Sequence, residues 1–102
     1  MRIEVTGKND SVTPEMRAYA EYRLFATLAR YARVIRRVSV VLGSADPEAA
    51  GHLTCDVDVS LQASGSARVL AHGPHMHAAI DLAAERIGYV SDRLEASNGD
   101  SV

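Results

Sequence analysis

An α+β fold is expected for this chain: one domain of order β-α-β-β-β-α, a four-stranded, mostly antiparallel sheet with two helices packed on one face. Three observations predict it. Leu53, Cys55, Val57, Val59 and Leu61 alternate with Thr54, Asp56, Asp58 and Ser60, the period of two of a half-buried strand. Met16, Ala20, Leu24 and Leu28 recur at every fourth position. Met76, Ile80, Ala83, Ala84, Ile87, Val90 and Leu94 draw a second helical stripe. A chain of 102 residues, 47% hydrophobic and 24% charged, has the size and balance of one globular core.

Each element has its own signal. Ile3 and Val5 alternate with Arg2, Glu4 and Thr6 in a first strand, and Gly7 to Ser11 reads as a turn. Thr13-Pro14-Glu15 starts a helix. Threonine caps free amides, proline fits where no hydrogen bond is lost, and glutamate suits the positive end of the dipole. That helix runs to about Arg30, with Tyr19 and Phe25 widening its apolar stripe and Arg17, Glu21 and Arg23 towards solvent. Val38, Val40 and Leu42 mark the second strand, followed by a polar loop carrying Asp46 and Glu48. Ala63-Ser64-Gly65 turns the third strand into a fourth, in which Ala67, Val69 and Ala71 alternate with Arg68, Leu70 and His72. Gly73-Pro74 breaks that strand, and the second helix is expected from about His75 to Glu95, with Gly88 a weak point of about 1 kcal/mol relative to alanine. The single domain is placed at 1–96, with 97–102 a disordered tail.

No apolar run approaches the ~18–20 residues that span a bilayer, and the alternating start does not read as a signal peptide. With one cysteine, Cys55, no internal disulfide can form, so a reduced, cytoplasmic, soluble protein is expected, with no membrane partner. Net charge is −2, but residues 1–44 carry eight basic side chains against four acids while residues 45–102 carry three against nine, +4 against −6. The asymmetry permits a basic patch on a chain that is acidic overall. Between Phe25 and Leu42 there is no acid, only Arg30, Arg33, Arg36 and Arg37.

Catalytic and metal chemistry find little support. His72, His75 and His77 fall within six residues, but His75 and His77 point about 200° apart on a helix and cannot converge on one ion; polar residues around a helix start are the expected reading. Asp56 and Asp58 lie ~6–7 Å apart on one strand face. Arg68 on the next strand shares that face, and an ion-pair ladder is expected there rather than a catalytic dyad. Cys55 points with Leu53 and Val57 towards the core as a small hydrophobe. There is no glycine-rich phosphate loop and no nucleophile elbow, so neither an enzyme, a cofactor nor a small-molecule substrate is expected. The open sheet face carries no Phe, Tyr or Trp, which excludes base stacking on the sheet. Nucleic acid, if bound, is held through phosphates and shape along the helices and the basic edge.

The chain resembles the short ribosome hibernation-promoting factors, the ribosome-associated inhibitor or sigma-54 modulation protein family. Ile3-Glu4-Val5-Thr6-Gly7-Lys8-Asn9 looks like its first strand and turn, and Val12 to Tyr19 like its capped helix start. Val38 to Leu42 is similar to its second strand, and His75-Met76-His77-Ala78-Ala79-Ile80-Asp81 resembles the signature opening its second helix. The resemblance spans roughly residues 1–95 and implies the same β-α-β-β-β-α fold. It also implies a translation inhibitor that sits on the small ribosomal subunit, against 16S rRNA, and occludes the channel of messenger and transfer RNA. Arg23, Arg86 and Arg93 stand where the family is basic, and Arg30, Arg33 and Arg37 extend that surface; these six are the expected rRNA-binding residues. The chain departs from the family where a dense basic run usually closes the second helix: Gly88, Tyr89 and Asp92 stand there instead. An alternative is therefore a module of the same fold that no longer binds rRNA and instead binds a protein, either another chain or a second copy of itself, with Tyr89 and Val90 as candidate contact residues.

Overall fold

The computed structural model describes residues 1–8, 12–44 and 53–94, with the backbone of the last helix continuing to Asp100. Strand β1 (Arg2–Gly7) leads to helix α1 (Pro14–Leu28), which tightens into a 3-10 turn at Ala29–Tyr31. Strands β2 (Ile35–Ser44), β3 (Leu53–Leu61) and β4 (Ser66–Gly73) follow, then helix α2 (Met76–Asp100). The sheet order is β1-β2-β3-β4. β1 runs parallel to β2, a pairing that needs a crossover, which α1 supplies; the other two pairs are antiparallel.

Side-chain alternation assigns the two faces. Val38, Val40 and Leu42 of β2 stand beside Ile3 and Val5 of β1 and beside Val59, Val57 and Cys55 of β3. Ala67 and Ala71 of β4 complete this face, which both helices cover. α1 buries Ala20, Leu24 and Leu28; α2 buries Ala79, Ile80, Ala83, Ala84 and Ile87. Each large aliphatic side chain so buried contributes ~1.5–3 kcal/mol through area removed from water. Cys55 sits in this core, and burial pushes its thiol up to about 12. The opposite face carries Arg2, Glu4, Arg37, Ser39, Asp56, Asp58, Arg68 and His72 and has no covering layer among the described residues.

Local chemistry sets the boundaries. Thr13 Oγ1 accepts a hydrogen bond from Met16 N at 3.1 Å, with Pro14 and Glu15 in the first turn behind it. His75 caps α2 in the same way, its Nδ1 accepting from Ala78 N at 3.2 Å. Gly65, at φ +95°, supplies the left-handed residue of the β3–β4 hairpin, and its carbonyl accepts from Leu61 N.

Four details differ from the expectation. β2 begins at Ile35, and a register shift between Ile35 and Arg37 lets Ile35 and Val38 both face inward although three positions apart. α2 continues to Asp100 instead of ending near Glu95. Phe25 does not join the core and is 56% exposed. It lies one residue on from Leu24, about 100° round the helix, on the flank away from α2, where no strand beyond β1 covers it among the described residues. Arg23 is turned against α2, where it meets Asp81, instead of standing in solvent. The expected turn residues 9–11, the acidic loop with Asp46 and Glu48, and the end of the expected tail at 101–102 lie outside the described residues.

Candidate nucleic-acid interface

The connectivity sends both helices back towards one end of the sheet. α1 must return from the end of β1 to the start of the parallel β2, and α2 returns from the end of β4. Their last turns therefore meet beside the starts of β1 and β2 and the β3–β4 hairpin. The Tyr31 hydroxyl donates to Asp92 Oδ1, joining the end of α1 to α2. Gln62 N donates to the Val34 carbonyl at 2.8 Å, and Arg36 Nη2 to the Gln62 carbonyl at 3.2 Å, closing the hairpin against β2.

This closure gathers cations from distant parts of the chain. Arg30 and Arg93 stand next in sequence to the two residues of the Tyr31–Asp92 contact, which brings them to the same end of the molecule. Arg30 lies over the Tyr31 ring at 5.2 Å from its centre, and Arg93 over the Tyr89 ring at 5.7 Å while also donating to the Tyr89 hydroxyl at 3.1 Å. Such stacking orders a guanidinium without cancelling its charge. Arg33 is exposed beside the hairpin, where it borders a groove with Val34, Leu61 and Gln62. Among the described residues, neither Arg30, Arg33 nor Arg93 meets a carboxylate within ion-pair distance.

The other three expected residues are placed differently. Arg37 lies near the start of β2 at the same end but points onto the open sheet face, where Glu4 accepts its hydrogen bond at 2.5 Å. That pairing, with Arg2 on the other side at 3.1 Å, holds the Glu4 carboxyl below the usual range. Arg23 lies between the helices: its Nε meets Asp81 at 3.3 Å and its Nη1 donates to Thr27 Oγ1 at 2.8 Å. Tyr19 also donates to Asp81, at 2.5 Å, and this bond is the main reason the Tyr19 phenol is pushed up. Arg86 crosses from α2 to the sheet edge, where it donates to the Leu70 carbonyl of β4 at 3.2 Å. The structure thus brings Arg30, Arg33 and Arg93 to one end, with Arg37 turned to the adjoining face and Arg23 and Arg86 farther back along the helices.

Several contributors escape a reading of the sequence. Tyr31 and Tyr89 act as platforms for arginines; only the four-residue spacing of Tyr89 and Arg93 on one helix foreshadows it. Gly88 is no mere weak point. A Cβ built there would sit 2.9 Å from Thr27 Cγ2, so its missing side chain is what lets α1 and α2 approach. On the open face, by contrast, the ion pair expected from the sequence forms: Arg68 grips Asp56 through both Nε, at 2.9 Å, and Nη2. His77 lies with its ring 4.2 Å from that of Tyr19, a different neighbour from that of His75. Among the described residues no helix is long and apolar enough to cross a membrane.

The sequence profile of a family described as sigma 54 modulation protein / S30EA ribosomal protein matches residues 3–90. The crystal structure of the N-terminal domain of Thermus thermophilus Protein Y is similar with a TM-score of 0.75 and 30% identity, covering 92% of this chain and 99% of that one. A ribosomal subunit interface protein from Coxiella burnetii is similar with a TM-score of 0.76 over 94% of this chain and 99% of that one; at 18% identity it speaks for the fold alone. No curated protein matches the sequence.

Proposed function

The chain belongs to the sigma 54 modulation protein / S30EA ribosomal protein family, and from that premise we propose that it is a non-enzymatic, ribosome-associated translation inhibitor. In this reading it binds the small subunit against 16S rRNA and occludes the channel used by messenger and transfer RNA. Arginine–phosphate contacts carry the binding. Arg30, Arg33 and Arg93 present charge at the end where the helices converge, Arg37 borders them, and Arg23 and Arg86 extend the contact along the helices.

The observation that carries the reading is that convergence, within a chain matched by the family over residues 3–90. Guanidinium groups ordered on tyrosine rings keep most of their donors for phosphate oxygens, which suits bidentate contacts. The open sheet face lacks the aromatic side chains that read bases, so the contact is expected to follow backbone shape more than sequence.

Co-sedimentation with isolated 30S subunits across a salt series tests this. Binding is expected at low salt, with log affinity falling linearly in log salt and a slope of roughly 0.9 per phosphate neutralised. No pelleting with 30S subunits at low salt overturns the reading.

A further inference from the structure

The flank of α1 that turns away from α2 is apolar and, among the described residues, uncovered. Ala18, Tyr22, Phe25 and Ala29 follow one another at spacings of four, three and four, the seam spacing of two packed helices. At 100° per residue this seam lies roughly 130° round the helix from the core-facing Leu24. Tyr22 is 70% and Phe25 56% exposed, and both alanines are exposed as well. With Met1, Ile3 and Glu21 the first three seam residues line a groove of about 460 Å³. Beside that groove β1 ends the sheet, paired only to β2 among the described residues. A strand edge and an apolar helix seam therefore lie on one side of the molecule. The opposite edge differs: there Arg86 reaches over to occupy the Leu70 carbonyl of β4.

Both features are complementary to themselves. An antiparallel pairing of β1 with a second β1 centred on Ile3 sets Arg2 opposite Glu4 and Glu4 opposite Arg2, the favourable cross-strand charge pair. An antiparallel pairing of α1 with a second α1, centred between Arg23 and Leu24, sets Ala18 opposite Ala29 and Tyr22 opposite Phe25. Small residues then meet small residues and rings meet rings. Ile3 lines the same groove as Ala18, Tyr22 and Phe25, so the two seams are neighbours on one side of the molecule. That arrangement lets one two-fold axis perpendicular to the sheet serve both pairings.

We propose that this face binds a second copy of the chain, β1 against β1 and α1 against α1, in an isologous dimer. The two four-stranded sheets join into one across the axis, and the paired α1 helices cover the join. The Arg2–Glu4 contact within one chain, at 3.1 Å, becomes part of a four-charge cluster at the axis. Completing the edge also removes its unpaired backbone groups from solvent.

Sedimentation equilibrium gives the first test. A mass twice the 11.0 kDa of the chain is expected at concentrations of about 10–100 µM, the range of a modest interface. Phe25→Glu should return the single-chain mass while keeping the far-ultraviolet circular dichroism of the parent. A single-chain mass for the parent throughout that range, or a dimer that persists in Phe25→Glu, overturns the proposal. The second test needs no disruption of the surface. Ala18→Cys and Ala29→Cys chains are prepared separately and mixed under mild oxidation; Cys55, buried with its thiol pushed up to about 12, stays silent. Disulfide-linked dimers are expected in the mixture and absent from either variant alone. Linkage within a single variant, or none in the mixture, overturns the antiparallel pairing.

Discussion

The open face of the sheet and the end where the helices converge are both rich in arginine, yet they hold it differently. On the sheet Asp56 grips Arg68, and Glu4 is shared by Arg37 and Arg2. At the converging end Arg30 and Arg93 lie against tyrosine rings instead. An ion pair fixes a guanidinium and cancels its field; a tyrosine fixes it and leaves the field intact. Residue count therefore says little about which surface attracts a polyanion. What matters is the partner each arginine already has.

The largest effect expected from this contrast is on ribosome binding. Reversing Arg30 and Arg93 together to glutamate should lower 30S affinity by about ten- to a hundredfold at moderate salt and flatten the salt slope by roughly two units, about 0.9 for each contact. Arg68→Glu should leave both unchanged, since its charge is already matched and faces away from the converging end. Equal losses from the two variants in the co-sedimentation assay would mean that binding follows gross charge and that the contrast has no functional weight. A smaller loss, within about tenfold, is expected from Arg86→Glu. Its single hydrogen bond to the Leu70 carbonyl places it at the edge of β4, behind the main cluster, without neutralising it.

The difference between the regions also marks what a sequence can disclose. The strands and stripes were legible because alternation and fourfold spacing follow directly from backbone geometry, as the buried set of Val38, Val40, Leu42, Val57 and Ile80 illustrates. The run from Arg30 to Arg37 was legible as a basic stretch. Its division was not: Arg37 reaches the sheet face only through the shift at the start of β2, and Arg93 comes to the same end as Arg30 only through the Tyr31–Asp92 contact, 61 residues apart. Phe25 illustrates the converse. Its hydrophobicity suggested core, but burial depended on whether anything lay beyond β1. Gly88 is the same kind of case, since a glycine's cost to a helix is visible locally and the neighbour that requires it is not.

The joint that assembles the converging end gives a stability test of intermediate size. Tyr31→Phe removes the hydroxyl that donates to Asp92 and should cost about 1 kcal/mol in denaturant unfolding. It also leaves the Asp92 carboxylate without that donor beside Arg93, so 30S affinity should fall slightly more than stability alone explains. Gly88→Leu should be worse, ~1–3 kcal/mol, because the helices approach there with Thr27 Cγ2 already 2.9 Å from any added Cβ. The pair Thr27→Ser with Gly88→Ala removes the obstructing methyl while adding the better helix former, and should recover up to ~1 kcal/mol. Equal destabilisation by Gly88→Ala with and without Thr27→Ser would show that the close approach is not what the glycine provides.

The smallest expected effect belongs to the sheet face and fixes its sign. The bidentate hydrogen bond from Arg68, more than its field or that of Lys8, holds the Asp56 carboxyl below the usual range against the opposing effect of burial. A carboxyl whose value is lower in the folded than in the unfolded chain stabilises the fold at pH values above its unfolded value. That contribution fades as pH falls through the unfolded value, near 4, and is gone below the folded one. Arg68→Gln keeps a hydrogen-bonding side chain but removes the charge, so it should lower the melting temperature slightly at neutral pH and by less at pH 3. The two melting curves should therefore draw together on acidification. Because Arg68 is largely exposed, at 66%, solvent screens the pair and the gap at neutral pH should itself shrink in high salt. A gap that widens towards pH 3 would mean that Asp56 is not the group Arg68 stabilises.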